Sequence, residues 1–406
     1  MAARLNAWQH LAIFALVVAA IVSRRPDALL NPQFYAEDGS IWFADAWNLG
    51  WLHALTLPEG GYLNTLPRLV CGAALLVPLK CAPLLLNWFG IIIQALPVTV
   101  LLSARCANWG PMFIRALQAV IYVVLPNSSE LDVTITNAHW HLALIACLLL
   151  FANPAPNRLW KAIDLIVLIL VGLTGPWALV LTPLVLVFWW YRRQPWSLVA
   201  AAILGVCALL QVSELFIHSR PVTPLGATLP LIARLIAGQI YLAALWGQNS
   251  FASSGPPAVA LLLFAIGTYI LVWGLLKLRL EMKLFIAFAL IVTAAALQSP
   301  LIAGGQPRWN LLSIDKGSRY WFFPMLALLW SLVWMACQRQ SCRLQILSLI
   351  CLSPMFRGIP HDWRYRAYPD RNFGLYLRQF AAAAPGTAVI FPIYPDVHPM
   401  VLIKKE

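Results

Sequence analysis

Apolar runs recur along nearly the whole chain, broken only by short punctuation rich in Pro, Gly or basic residues. Hydrophobic residues fill 61 % of the 406 positions and charged residues only 11 %. A soluble domain cannot hide that much apolar surface behind so few charges, whereas helices running through hydrocarbon require this balance. In lipid each backbone N–H and C=O must be satisfied within its own segment, so each run is read as a helix. The fold class that follows is an all-α polytopic membrane protein.

The runs fall near 8–22, 84–102, 112–125, 139–152, 162–174, 177–190, 196–217, 257–276, 284–298, 320–337 and 343–355. Two more, 66–79 and 228–246, are apolar enough to cross, but the loop charges place them along the membrane surface. Basic residues accumulate in cytoplasmic loops. With those two runs excluded and the N-terminus inside, Arg105 and Arg115, Arg158 and Lys161, Arg192 and Arg193, Lys277, Arg279 and Lys283, and Arg339 and Arg343 all fall inside. Every acid except Asp164 and Glu281 then falls outside. Asp164 lies one helical turn from Lys161, so an ion pair at the membrane edge is expected. The result is about eleven spans, N-terminus in and C-terminus out.

Topology thereby accounts for the net charge of +13, and nucleic acid is not an expected partner. The eight cysteines are scattered without a C-x-x-C pair, which indicates neither a disulfide framework nor a zinc site. The first run has no small-residue cleavage pattern after it and is read as an uncleaved span. Residues 1–355 then form a bundle that includes an outer loop at 23–83, and 356–406 form a small outer α+β appendage. In the appendage Asp370 is expected to cap a short helix with Phe373, Leu377 and Phe380 on one face. Strand-like runs follow at 387–391 and 401–403, and so short a piece should rest on the bundle's outer mouth.

Four outer stretches carry the polar chemistry. The first is Gln33-Phe-Tyr-Ala-Glu37-Asp38-Gly39-Ser, two adjacent carboxylates in a chain with 15 acidic residues in all. Neighbours in an extended loop point to opposite sides and on a helix they diverge, so they do not form a retaining glycosidase's facing pair. One can act as a single general base while the other braces it or shares a cation; a solvated loop acid is the plain alternative. The second is Gly60-Gly61-Tyr62-Leu-Asn64-Thr-Leu-Pro67-Arg68. Its glycines let backbone approach a ligand, Tyr62 and Asn64 can stack on and hydrogen-bond a sugar, and Arg68 can meet a lipid phosphate or simply anchor among headgroups.

The third stretch runs from Asn127 to His141 and holds Asn137, His139, Trp140 and His141 at a span mouth. So many polar groups there need water or a ligand. The two histidines are two apart, not the four that align metal ligands on a helix. Hydrogen bonding to a polar substrate is therefore expected ahead of a metal site shared with Glu37 or Asp38. The fourth puts Arg308, Lys316 and Arg319 at the outer interface, against the inside bias. Such charge suits a phosphate leaving group, or snorkelling among headgroups. Trp177, in Thr174-Gly175-Pro176-Trp177, and Trp246 are sugar platforms or belt residues. There is no Walker motif, dinucleotide fingerprint or nucleophile elbow, which argues against cytosolic nucleotide-driven chemistry.

Ala36-Glu37-Asp38-Gly39, Gly61-Tyr62 through Arg68, Asn137-Ala-His139-Trp140, Leu173-Thr-Gly-Pro176 and Gly317-Ser-Arg319-Tyr320 together resemble the GT-C superfamily of membrane glycosyltransferases. The resemblance implies a first-loop acidic pair acting on sugars taken from polyprenyl-phosphate donors. On that likeness Asp38 is the base and Glu37 its partner, through a divalent cation (Mg, Mn or Ca) if one is used. Arg319 and Tyr320 match a late arginine–tyrosine element that holds donor phosphate, with Lys316, Arg68 and Arg308 as further cations. The expected activity is inverting transfer of one sugar to a hydroxyl of a cell-envelope glycan or surface protein. It would take place on the outer face of a bacterial cytoplasmic (inner) membrane. The appendage is small beside the soluble domains of many members, which leaves the acceptor open. A transporter or flippase of lipid-linked sugars is the alternative, and it calls for midplane polar residues and repeats with broken helices. A non-catalytic assembly subunit is a third reading, excluded by sugar transfer from the purified chain alone.

Overall fold

The structure, a computed structural model, describes residues 5–218, 223–248, 257–302, 306–313, 317–338, 341–396 and 398–406. Lys316 and Arg339 lie outside the described residues. Among the described residues, seven helical stretches are long and apolar enough to cross a membrane: Ala7–Arg24, Leu79–Leu102, Pro195–Ile217, Leu229–Trp246, Ala258–Lys277, Leu280–Gln298 and Cys342–His361. The chain is a multi-pass helical membrane protein. The loop charges favour a surface position for 228–246, yet Leu229–Trp246 is an 18-residue apolar stretch that meets the requirement for a span. Helix Thr65–Ala74 has only 10 residues. At 1.5 Å per residue that is about 15 Å, half of the ~30 Å hydrocarbon core, so it does not cross alone.

The other expected spans correspond to helices Met112–Val123, Ala138–Leu150, Arg158–Gly172, Trp177–Arg192 and Phe322–Ala336, of 12 to 16 residues. Two of these form the centre. Phe322–Ala336 is buried at every position from Phe322 to Met335, and Ala138–Leu150 is buried except at His139 and Leu149. A helix that is apolar all round is one enclosed by its neighbours. The coil leading into Ala138 is also buried from Leu125 to Ser128 and from Leu131 to Ile135. Irregular backbone at such depth is tolerated because protein, not lipid, surrounds it.

Asp164 pairs with Arg105 rather than with Lys161, through two hydrogen bonds of 2.8 and 2.6 Å. Glu281 meets Arg192 at 2.5 Å. The two acids that break the charge rule are thus each paired with an arginine from another helical element.

Helix Phe373–Ala382 starts after Asn372, which has φ +56°, and Asp370 Oδ1 accepts the Asn372 N–H at 2.8 Å. Asp370 therefore shapes the turn before the helix and is not its cap. Phe373 and Phe380 do point inward, onto Phe391 of strand β1 (Ala388–Phe391). Strand β1 pairs antiparallel with β2 (Met400–Ile403) in the register Ala388↔Ile403. The free edge of β2 is closed by Asn48, which exchanges bonds with Val401 O and Ile403 N, and by Trp47 Nε1 donating to Ile403 O. The appendage thus sits on the 34–48 segment, and Ala36 N–H donates to Tyr394 O at 2.8 Å beside the acidic pair.

Candidate functional site

Between Tyr35 and Ser40 the chain turns sharply, with Ala36 at φ +44° and the Asp38 N–H returning to Tyr35 O. A π-helical segment, Asp38–Phe43, follows. Gly39 is needed there: a Cβ would lie 2.7 Å from Phe34 Cβ. The turn sends the two carboxylates apart, as adjacency requires. Asp38 is 1 % exposed while Glu37 stays half-buried. Asp38 Oδ1 accepts the Thr136 N–H at 2.8 Å and the Thr136 hydroxyl at 2.5 Å. Burial pushes the Asp38 carboxyl up to about 7. The Thr136 hydrogen bonds oppose that rise and neighbouring Glu37 adds to it.

Behind Thr136 stands a second tier. Trp42 Nε1 donates to Thr136 Oγ1 at 2.9 Å, and the Arg68 guanidinium lies 4.9 Å from the Trp42 ring. Arg68 is 1 % exposed and pairs with Asp45 at 2.9 Å. It is held inside the protein, and Trp42 and Thr136 stand between it and the Asp38 carboxylate.

Arg319 lies on a separate element, the 3-10 turn Ser318–Trp321. Its Nη1 meets Glu130 Oε2 at 3.2 Å, and its Nη2 donates to Leu301 O at 2.6 Å. Tyr320 is buried, with its hydroxyl engaged by Leu301 N–H at 2.7 Å, so it fixes the backbone behind Arg319. The Glu59–Tyr62 turn closes the same region: Glu59 and Tyr62 exchange backbone bonds across Gly60 (φ +60°) and Gly61 (φ +79°). Two successive left-handed residues are what a tight two-residue hairpin turn demands, which explains the Gly-Gly pair. Gly60 lies against Leu301. Glu37 acts electrostatically on both Arg319 and Glu59, and Tyr35 feels both Glu130 and Arg319. Glu37 and the late arginine therefore share one locality, and Asp38 adjoins it through Glu37.

Several expected ligand-facing residues point inward. His141 sits between Tyr122 OH (2.8 Å) and Leu131 O (3.1 Å), both ring nitrogens engaged. Asn137 is buried and donates to Glu130 O, and Asn64 donates to Glu59 O and Tyr62 O, bracing its own loop. Trp140 and Trp177 are packed together at 4.8 Å and against Phe323, as core rings rather than open platforms. His139 is half-buried, and its Nδ1 accepts Trp177 Nε1–H at 2.9 Å, which leaves Nε2 as the proton-bearing nitrogen of the neutral ring. Arg308 is tied to the 223–224 segment by Thr223 Oγ1 and Pro224 O.

Among the described residues no three His, Cys, Asp or Glu side chains gather to hold a metal ion. Glu37 and Asp38 supply two carboxylates, and Asp38 Oδ1 is already engaged by two donors. That donor set does not build a divalent-cation site by itself. Thr136 and Glu130 are not singled out by the sequence. Their signal was the density of polar residues in 127–137, which marks the loop without ranking its members. The sequence matches no family model and no curated protein.

Proposed function

We propose that the protein is a membrane glycosyltransferase, moving one sugar from a polyprenyl-phosphate donor to a hydroxyl of an envelope glycan or surface protein. Its site would open on the outer face of a bacterial cytoplasmic membrane. One observation carries the reading: a buried carboxyl tuned to about 7, beside a second carboxylate that shares its locality with a fixed arginine. A general base is most effective when its pKa lies near the working pH. Asp38 takes the proton of the acceptor hydroxyl, and the oxygen forms the new bond to the anomeric carbon. The bond from that carbon to the phosphate oxygen breaks, and its electron pair stays on the polyprenyl phosphate. Arg319 neutralises that developing charge, held in place by Leu301 O before the reaction begins. Back-side attack inverts the anomeric centre.

The test is transfer from a panel of synthetic polyprenyl-phosphate sugars by the purified chain, with wild type, Asp38→Asn and Arg319→Gln compared. Wild type should transfer with inversion, and both variants should lose at least about a hundredfold in turnover. Undiminished transfer by Asp38→Asn would remove the assigned base. Substrate translocation without any transfer would turn the reading to a carrier.

A further inference from the structure

Glu130 has no part in that mechanism, yet it occupies a place built for an anion. Gly317, at φ +80°, turns the chain so that its own N–H and that of Arg319 face the same carboxylate. Gly317 N–H donates to Glu130 Oε1 at 3.0 Å, and Arg319 N–H donates to Oε2 at 3.3 Å. Arg319 Nη1 reaches Oε2 at 3.2 Å. Two convergent backbone amides plus a guanidinium form the kind of concavity in which proteins hold phosphate. Glycine is required at its corner, since a Cβ would lie 2.9 Å from Tyr320 Cδ2.

The occupant can leave without the cradle collapsing. Arg319 is held independently by Leu301 O and lies 4.9 Å from the Tyr320 ring centre. The Glu130 backbone is pinned separately, its carbonyl accepting from Asn137 Nδ2 at 2.6 Å. Only the Glu130 side chain has to swing away. Both partners are accessible, with side chains 27 % and 22 % exposed. A carboxylate and a phosphate ester present the same pair of acceptor oxygens to these three donors.

We propose that Gly317 N–H, Arg319 N–H and the Arg319 guanidinium form a phosphate-ester binding site, and that the Glu130 carboxylate is its resident occupant, displaced when phosphate arrives. This deepens the transferase reading, on which the phosphate is the donor's. Binding itself, however, needs no sugar chemistry. Two sources offer the same group, an isoprenyl phosphate and an anionic phospholipid headgroup.

The experiment uses the full chain in nanodiscs of phosphatidylcholine, titrated with farnesyl phosphate and read by tryptophan fluorescence. An occupant present about nine-tenths of the time lowers apparent affinity about tenfold, so Glu130→Gln should bind about tenfold more tightly than wild type. The amide keeps an acceptor oxygen for Gly317 N–H, which protects the fold; Glu130→Asp, whose carboxylate is one methylene shorter, should also bind more tightly. Adding Arg319→Gln should abolish the gain. Repeating the titration in discs with phosphatidylglycerol separates the sources: lost farnesyl phosphate binding assigns the site to headgroups, and retained binding assigns it to the isoprenyl phosphate. A structural clamp predicts the opposite sign, so weaker or unchanged binding in folded Glu130→Gln and Glu130→Asp overturns the proposal. Tighter binding with no sugar transfer would keep this site and remove the transferase. Transfer that depends on Asp38, with unchanged phosphate affinity in Glu130→Gln, would do the reverse.

Discussion

Replacing Asp38 with Asn should stabilise the protein at neutral and alkaline pH and leave its stability unchanged in acid. The amide keeps an oxygen for the Thr136 N–H and hydroxyl, so the geometry around position 38 can persist. What changes is the cost of a buried charge. Folding moves the carboxyl from 3.8 up to about 7, chiefly by burial. A tenfold change in an acid dissociation constant corresponds to about 1.4 kcal/mol, so this rise amounts to about 4 kcal/mol at full ionisation. The sign follows from proton counting. Between the two values the folded protein keeps the proton that the unfolded chain has lost, so wild-type stability falls as pH rises through that window and levels off above about 7. Below the unfolded value both states are protonated and the contribution vanishes. Thermal unfolding in detergent, followed by tryptophan fluorescence from about pH 4 to about pH 8.5, spans that window. Asp38→Asn should melt with wild type at the acid end and several degrees higher at the alkaline end. Parallel curves at every pH, or a variant less stable throughout, would refute the assignment of burial as the dominant influence on Asp38.

Thr136→Val removes the hydroxyl that lowers the Asp38 pKa, so the acid limb of the pH–rate profile should move to higher pH, by about one; an unmoved limb uncouples the two residues. Asp45→Ala strands the buried Arg68 guanidinium and should cost about 2–3 kcal/mol in denaturant unfolding, with donor KM unchanged. A raised donor KM at undiminished stability would instead return Arg68 to the phosphate.

What could be read along the chain was whatever lipid enforces. Apolar runs became helices because hydrocarbon permits little else, and most ends fell within a few residues of the composition breaks. Charge bias answers a different question, on which side a loop lies. It therefore carried the 228–246 stretch to the surface when its length and hydropathy suit a span. Local spacing failed in the same way for Asp164. A lysine one turn away was visible, while Arg105, its partner from another loop, was not. The Asp370 cap failed because the helix start depends on a left-handed Asn372, a conformation that an ordinary polar stretch does not announce.

Within the outer loops, polarity in the sequence marks positions that lipid does not solvate, but it does not say whether protein or ligand does. The structure separates the two by what each group already holds. His141, Asn137, Asn64 and Tyr320 have polar atoms engaged by backbone or, for His141, also by the Tyr122 hydroxyl, so their polarity braces the protein's own fold. Arg68 belongs with them through Asp45. Asp38, Glu37, Glu130 and Arg319 differ, because their neighbours are charged and three of the four keep some exposure. A partly exposed ion pair such as Arg319–Glu130 adds little to stability, so keeping it beside Glu37 in an acid-poor chain is hard to explain by folding. Glu37, Asp38 and Arg319 stood out through rarity and interface position. Glu130 did not, since its partners lie 187 to 189 residues away and two of its three bonds come from backbone amides that no side-chain pattern encodes.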